Sequence, residues 1–182
     1  MNENDKPHRR ELLLASLPSQ APEIGVWLAA LSDSRERTHK AIAGIGEDEL
    51  DWVSAPERHT IGTLLYHIAA IELDWLYVEI LEQDFPDGCE LWFPDDVSDA
   101  AGALTVVTGE SASRHRERLH WVREQLLATL SGMSTGEFRE VRHLDAYDVT
   151  PQWVVHHLLQ HEAEHRGQIA ILRKRFKASH QP

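Results

Sequence analysis

Apolar residues recur three and four positions apart in four long segments of the chain, and this spacing constrains its fold more than any other feature. Such a period places apolar side chains on one face of an α-helix, whereas a β-strand alternates every second residue. Alternation over the length of a strand is not convincing anywhere in the sequence. The pattern therefore predicts an all-α fold, a four-helix bundle in which the helices bury their apolar faces against one another.

Helix start and stop signals give the four segments approximate bounds. Thr60 is a candidate N-cap of the second segment, and Thr150 followed by Pro151 is a typical start for the fourth. The four predicted helices cover residues 22–42, 60–81, 109–130 and 150–176. Residues 83–107 are rich in Pro, Gly and acidic residues, so we expect a long, irregular crossover between the second and third helices.

The length of 182 residues is sufficient for one domain with its own core. We interpret residues 1–21 as an N-terminal arm, residues 22–178 as the bundle and residues 179–182 as a tail. The arm resembles a signal peptide, but its apolar stretch of about six residues is shorter than the ~7 to 15 residues expected.

Composition excludes several classes of protein. Acidic residues number 30 against 18 basic ones, and the resulting charge of −12 disfavours binding to nucleic acid. No apolar run approaches the ~20 residues of a membrane span, so we expect no membrane partner. The single cysteine, Cys89, cannot form an intrachain disulfide, which favours a cytoplasmic location.

Acidic residues are concentrated in the middle of the chain. Residues 59–113 contain eleven Asp and Glu and no Lys or Arg. Two interpretations remain open, a solvated acidic rim on the crossover and a surface that repels acidic ligands or docks a basic partner.

Twelve histidines are unusual for a chain of this length, and three of them lie four residues apart in the fourth helix. His157, His161 and His165 therefore fall along one side of that helix, where two adjacent imidazoles can share a divalent ion. The alternative for each is a hydrogen-bonded histidine of the core or rim.

Residues 161–165 also match H-E-x-x-H, the helix of zinc metalloproteases. The context does not fit, because Gln168 and Ile171 stand where the extended motif has Gly and His, and no Asp or Glu follows Glu164. A third ligand should therefore come from upstream. His67 is the best candidate because it lies on an otherwise apolar face, although a core histidine bonded to a carbonyl or carboxylate would also fit. Facing helices of a bundle can form such a three-His site.

Two longer stretches are more specific. Residues 60–72, TIGTLLYHIAAIE, and residues 149–169, VTPQWVVHHLLQHEAEHRGQI, resemble the two signature segments of the DinB/YfiT-like superfamily. The resemblance implies a bundle of up-down-down-up order, frequently a homodimer, and a divalent metal held by His67, His161 and His165. Zinc is the preferred ion, with nickel, iron or manganese as alternatives. The arm and the acidic crossover lie outside the resemblance.

The sequence around the second motif is similar to thiol-dependent transferase-like and hydrolase-like members of that superfamily. We therefore expect a metal-dependent enzyme that activates a small thiol for transfer to an electrophile. The alternatives are a hydrolase that uses a metal-bound water, and a non-catalytic, metal-stapled binding or stress-response protein. Glu162 is a candidate base or orienting group, and Arg166 would bind an anionic group or cap a neighbouring helix. Trp75 and Trp153 are the tryptophans that could wall a pocket.

Overall fold

The structure is a computed structural model that describes residues 12–53, 59–98 and 102–180. Its four long helices are α1 (Pro22–Ala41), α3 (Ile61–Asp74), α4 (Ala112–Ser131) and α6 (Pro151–Ser179). Short helices α2 (Glu47–Leu50) and α5 (Thr135–Arg139) follow α1 and α4. The all-α prediction is confirmed.

Three short features were not expected from the sequence. α3 continues into a π-helical stretch, Trp75–Ile80, and a 3₁₀ turn, Cys89–Leu91, lies in the crossover. An antiparallel hairpin of β1 (Arg142–His143) and β2 (Asp148–Val149) precedes α6. These elements are too short to produce a recognisable period in the sequence.

Side-chain caps explain where three of the long helices begin. The Thr60 hydroxyl accepts a hydrogen bond from the Thr63 amide at 2.9 Å, and Thr150 accepts one from the Trp153 amide at 3.1 Å. Both were predicted as N-caps. Ser111 caps α4, which therefore begins slightly later than the sequence pattern indicates.

Each long helix packs against two others, with α1 and α3 each contacting both α4 and α6. The contacts show that α3 and α4 run parallel to each other, that α1 and α6 also run parallel, and that α3 and α6 run antiparallel. The pairs that show this are Gly62 with His115, Glu72 with Arg123, Ser34 with Arg166, Ala41 with Arg173, His67 with His165 and Trp75 with His157. An up-down-down-up bundle requires these directions.

The core consists of two apolar clusters. One includes Leu28, Leu126 and Leu158, and the other includes Leu64 and Leu119. Each long helix also buries a charged residue within the fold. These are Arg35 on α1, Glu72 on α3, Arg123 on α4 and Glu162 on α6.

The 20-residue stretch Ile61–Ile80 contains an 18-residue window with a mean hydropathy of 1.2, which is the length and composition of a candidate membrane span. Such a stretch was not expected from the sequence. Because 67% of this window is buried within the fold, its apolar character fits a core helix that contacts both α4 and α6.

The arm and crossover both contact the bundle. Leu17 donates its amide to the carbonyl of Gly25 at 3.0 Å, and Gln20 donates to that of Ser131 at 2.8 Å. In the crossover, Val107 donates its amide to the Thr63 hydroxyl at 3.0 Å. Residues 1–11 and 181–182 lie outside the described residues, and the division into arm, bundle and tail stays a prediction.

Candidate metal centre

The structure brings His67, His161 and His165 together. His67 lies on α3, and the other two lie one turn apart on the facing side of α6. The Nε2 atom of His161 is 3.1 Å from Nε2 of His67 and 3.0 Å from Nε2 of His165. One potential ligand atom from each histidine lies within 4.8 Å of the other two. All three side chains are half-buried, so the cluster is not sealed within the core.

The protonation of this cluster suits a divalent ion. Burial, and then the neighbouring charge of His165, lowers the pKa of His67 to about 4. Burial, followed by the charges of His165 and His67, lowers the pKa of His161 to about 3. Both imidazoles are therefore neutral at pH 7, the form in which a ring nitrogen offers a lone pair to a metal.

The spacing of the ring nitrogens and the contact between His165 and Gln168 also fit a metal-binding site. Two nitrogens that each bind one ion at about 2.0 to 2.1 Å lie about 3 Å apart, as these Nε2 atoms do. Nδ1 of His165 lies 2.8 Å from Oε1 of Gln168, which can only accept, so Nδ1 donates and Nε2 keeps its lone pair. Three imidazoles at this spacing suit zinc, and they also suit nickel, iron or manganese.

Glu162 lies between the two α6 histidines in sequence, but its side chain is directed into the bundle and is only 1% exposed. One carboxylate oxygen accepts hydrogen bonds from Arg35 at 2.9 Å and Thr38 at 2.7 Å. The other accepts one from Arg123 at 2.9 Å. The two arginines lower the pKa of Glu162 to about 2 against the effect of burial, which is the largest and raises it. A catalytic role for Glu162 stays a prediction, and these contacts favour a structural one.

Glu72 completes this cluster of buried charges. It accepts two hydrogen bonds from Arg123, at 2.6 and 2.8 Å, and a third from Arg35. The four charged residues, Arg35, Glu72, Arg123 and Glu162, are hereafter called the central ion network. They come from α1, α3, α4 and α6, so the network joins all four long helices. Its member Glu162 directly follows His161 in the chain.

A family model described as the DinB superfamily matches residues 30–169 of the chain. The chain belongs to the DinB superfamily. This confirms the family that the two sequence motifs indicated. A crystal structure of a conserved protein from Enterococcus faecalis is similar, with a TM-score of 0.64 over 82% of this chain and 94% of that one. At 18% identity this likeness shows the fold alone. No match was found among curated proteins.

In this DinB-superfamily chain, Arg166 contacts α1. Its guanidinium donates to the carbonyl and hydroxyl oxygens of Ser34, both at 3.3 Å, and to the Thr38 hydroxyl at 3.4 Å. Of its two expected roles, these contacts favour anchoring a neighbouring helix. Anion binding by Arg166 stays a prediction.

His157 lies beside the three histidines, at the end of the cluster nearer the start of α6. Its ring stacks on Trp153 with centroids 5.2 Å apart and contacts Trp75 at 4.6 Å. The distance from its centroid to that of His161 is 5.9 Å. Burial lowers the pKa of His157, which fits a neutral ring between aromatic neighbours. His157, Trp75 and Trp153 were each candidates from the sequence, but their contact with one another was not predicted.

Sequence reasoning missed the arginines and Glu72 of the central ion network. A signal was present, because Arg35 and Arg123 fall four residues after Leu31 and Leu119, on the apolar stripes of their helices. A charge at a core position predicts a buried partner of opposite charge. His59 was also missed. Its charge contributes to lowering the pKa of His67, so it lies near the cluster.

Proposed function

We propose that this protein is a metal-dependent enzyme that binds a divalent ion through His67, His161 and His165 and transfers a small thiol to an electrophile. The observation that carries this proposal is the convergence of three Nε2 atoms in a half-buried cluster. When bound, a divalent ion would supply a positive charge and open ligand positions there, which lower the pKa of a thiol that reaches it.

The chain's own residues would position this chemistry. Gln168 fixes the ring orientation of His165 through the Nδ1 contact. The central ion network holds α3 and α6 in register, so that His67 faces the α6 histidines. The thiol, electrophile and preference for zinc are parts of this proposal.

The environment of Glu162 favours thiol transfer over hydrolysis. A metalloprotease-type hydrolase uses the glutamate of H-E-x-x-H as its general base. In this protein both oxygens of that carboxylate already accept hydrogen bonds from Arg35, Thr38 and Arg123. A thiol is a stronger acid than water, so its ionisation beside a cation depends less on a protein base.

The first test measures metal content. We expect the purified chain to hold about one equivalent of divalent ion, and His67→Ala, His161→Ala and His165→Ala each to lose it. His156→Ala is the matched control because His156 is exposed on the same helix and is not in the cluster. Full retention of metal by His67→Ala would remove His67 from the site.

The second test measures turnover. Small thiols are combined with an epoxide or a chlorinated electrophile, and the metal-loaded, metal-stripped and His165→Ala proteins are compared. Thiol-dependent product that requires both metal and His165 supports the transferase. Metal-dependent cleavage of esters or amides without thiol would replace it with the hydrolase. Retained metal without either activity would favour the non-catalytic alternative.

A further inference from the structure

A cavity of about 480 Å³ lies at the N-terminal end of α6, apart from the three histidines. This volume is within the range of about 300 to 1,000 Å³ typical of small-molecule sites. The residues that line it are Val141, Tyr147, Asp148, Val149, Thr150 and Trp153. The β1–β2 hairpin supplies most of them, and the first turn of α6 supplies the last.

Two aromatic rings of this lining keep much of their surface free. Trp153 is 49% exposed and Tyr147 is 45% exposed. Both rest on Trp75, whose ring centroid lies 5.4 Å from that of Trp153 and 6.2 Å from that of Tyr147. His157 covers part of Trp153 by stacking on it. The rings are thus held in place by neighbours while their remaining surface is available to a ligand.

The charges around this cavity are negative. Asp148, in the lining, is exposed and lies 2.8 Å from Nδ1 of His143. Behind the lining, Tyr147 donates its hydroxyl to the buried carboxylate of Glu79 at 2.7 Å. Burial, the Glu79 hydrogen bond, and the charges of Glu79 and Asp74 raise the pKa of Tyr147 to about 12. Glu79 and Asp74 thus place two further carboxylates close behind the lining.

The arginine that follows Val141 in the chain is already paired with carboxylates, and the lining itself holds no Lys or Arg. The guanidinium of Arg142 pairs with Glu140 at 2.8 Å and lies 3.6 Å from Glu82. None of the six lining residues is Lys or Arg. An anion would therefore meet repulsion in this cavity, and a cation would meet attraction.

We propose that this cavity binds a small organic cation, an ammonium group carried on an apolar or aromatic body. The rings of Trp153 and Tyr147 line the cavity and would attract a cation through the negative charge of an aromatic face, and Asp148 adds a carboxylate at the rim. Val141 and Val149 accommodate the apolar body.

The proposal does not depend on the metal-centred function. Trp153 and His161 lie on one stripe of α6, eight residues and about 12 Å apart along the helix axis. A ligand in the cavity is thus near the candidate metal centre but contacts different side chains. Binding can be measured on metal-stripped protein, so its failure is distinguishable from failure of the enzymatic proposal.

The test is a calorimetric titration at pH 7.5 with three probes that share one ring and differ in charge. These are benzylamine in its ammonium form, benzyl alcohol and benzoate. We expect saturable binding of benzylammonium, at least tenfold weaker binding of benzyl alcohol, and weaker binding again of benzoate. Equal or tighter binding of benzyl alcohol or benzoate, or no saturable binding of benzylammonium, would overturn the proposal.

Variants locate the binding site. Trp153→Leu should weaken benzylammonium at least tenfold. Asp148→Asn, at an exposed position, should weaken benzylammonium several-fold and leave benzyl alcohol unchanged. Trp121→Leu is the control, because Trp121 stacks with Trp92 away from the cavity and its loss should leave all three titrations unchanged. Unchanged benzylammonium binding in both Trp153→Leu and Asp148→Asn would place the site elsewhere and refute the assignment.

Discussion

His115 on α4 is a buried imidazole whose surroundings favour its neutral form. It is 1% exposed, and its Nδ1 lies 3.2 Å from the guanidinium of Arg118, which can only donate. Burial and the charge of Arg118 lower the pKa of His115 to about 4, although Glu110 and Asp51 act in the opposite direction. The unfolded chain has no such environment, so its imidazole titrates near 6.5.

This difference predicts a loss of stability in acid. A folded-state pKa below the unfolded one means that the unfolded chain binds more protons, so the contribution of His115 is present above about pH 6.5 and is lost as the pH falls towards 4. Through His115, we expect the free energy of unfolding to fall by about 2 kcal/mol when the pH is lowered from 7 to 5. Urea unfolding at both pH values measures it.

His115→Gln cannot titrate and should lose that part of the pH dependence. The control is His120→Gln, an exposed position on the same helix, which should keep the dependence of the unaltered chain. Parallel pH profiles for the His115→Gln variant and the unaltered chain would contradict the prediction.

The long helices are held in register by the central ion network. Every member of the network is nine-tenths or more buried, and Arg123 bridges Glu72 on α3 and Glu162 on α6. Without Arg123, the two buried carboxylates of Glu72 and Glu162 have only Arg35 to balance their charge. Such an excess of buried charge is costly even where the intact network adds little net stability. Loss of this network also alters the packing that faces His67 towards the α6 histidines.

We therefore expect Arg123→Met to lower the free energy of unfolding by about 3 to 5 kcal/mol in denaturant titrations. Lys40→Met is the matched control, since Lys40 pairs with Glu36 at 3.0 Å on the exposed face of α1. Exposed pairs of this kind contribute little, so its unfolding curve should nearly overlay that of the unaltered chain. Equal midpoints for the two variants would contradict this role for the network.

The arm docks on α1 at a glycine. A methyl group on Gly25 would collide with the hydroxyl of Ser16 and the carbonyl oxygen of Leu17. Gly167, in the interior of α6, has no atom within 4 Å of such a methyl group. The two glycines thus have opposite steric surroundings in otherwise helical backbone.

Gly25→Ala should displace the arm from α1 and speed proteolysis within residues 12–20, while α6 remains protected. Gly167→Ala should leave proteolysis unchanged and stabilise the fold by about 0.4 to 1 kcal/mol, because alanine restricts the unfolded chain. Equal rates of arm cleavage in both variants would show that this contact does not hold the arm.

At the scale of the whole molecule we predict a homodimer. A strongly apolar helix and six tryptophans in one chain favour burial of surplus apolar surface in a two-fold interface. Exposed apolar side chains remain on the described surface, including Leu12 and Leu13, each 80% exposed, and Leu91, 71% exposed. Sedimentation equilibrium should give twice the chain mass of 20.7 kDa. A mass of one chain at micromolar concentration would contradict the prediction.

Cytoplasmic location also stays a prediction at this scale. The DinB-superfamily fold and the burial of Ile61–Ile80 agree with a chain that folds around its apolar helix. Part of the acidic crossover is fastened to the bundle. Arg118 on α4 donates to the carbonyl of Trp92, within the crossover, and to the carboxylate of Glu110, just after it.

Local properties of the sequence determined the helices, their caps and the histidine stripe. The periods of three and four, the caps Thr60 and Thr150, and the spacing of His161 and His165 depend on residues a few positions apart. A helix fixes the relative placement of such neighbours by itself, so these features could be predicted without knowing the fold. The motif around His67 then supplied the facing residue.

Tertiary structure alone decided what lies across the helix interfaces. Glu162 has the sequence context of a general base, yet it accepts hydrogen bonds from Arg35, 127 residues away, and from Arg123, 39 residues away. The cavity beside Trp153 exists only because a short hairpin folds back onto the start of α6. Such contacts depend on how whole helices pack, and the same helical pattern is compatible with many partners for a buried charge or an exposed ring.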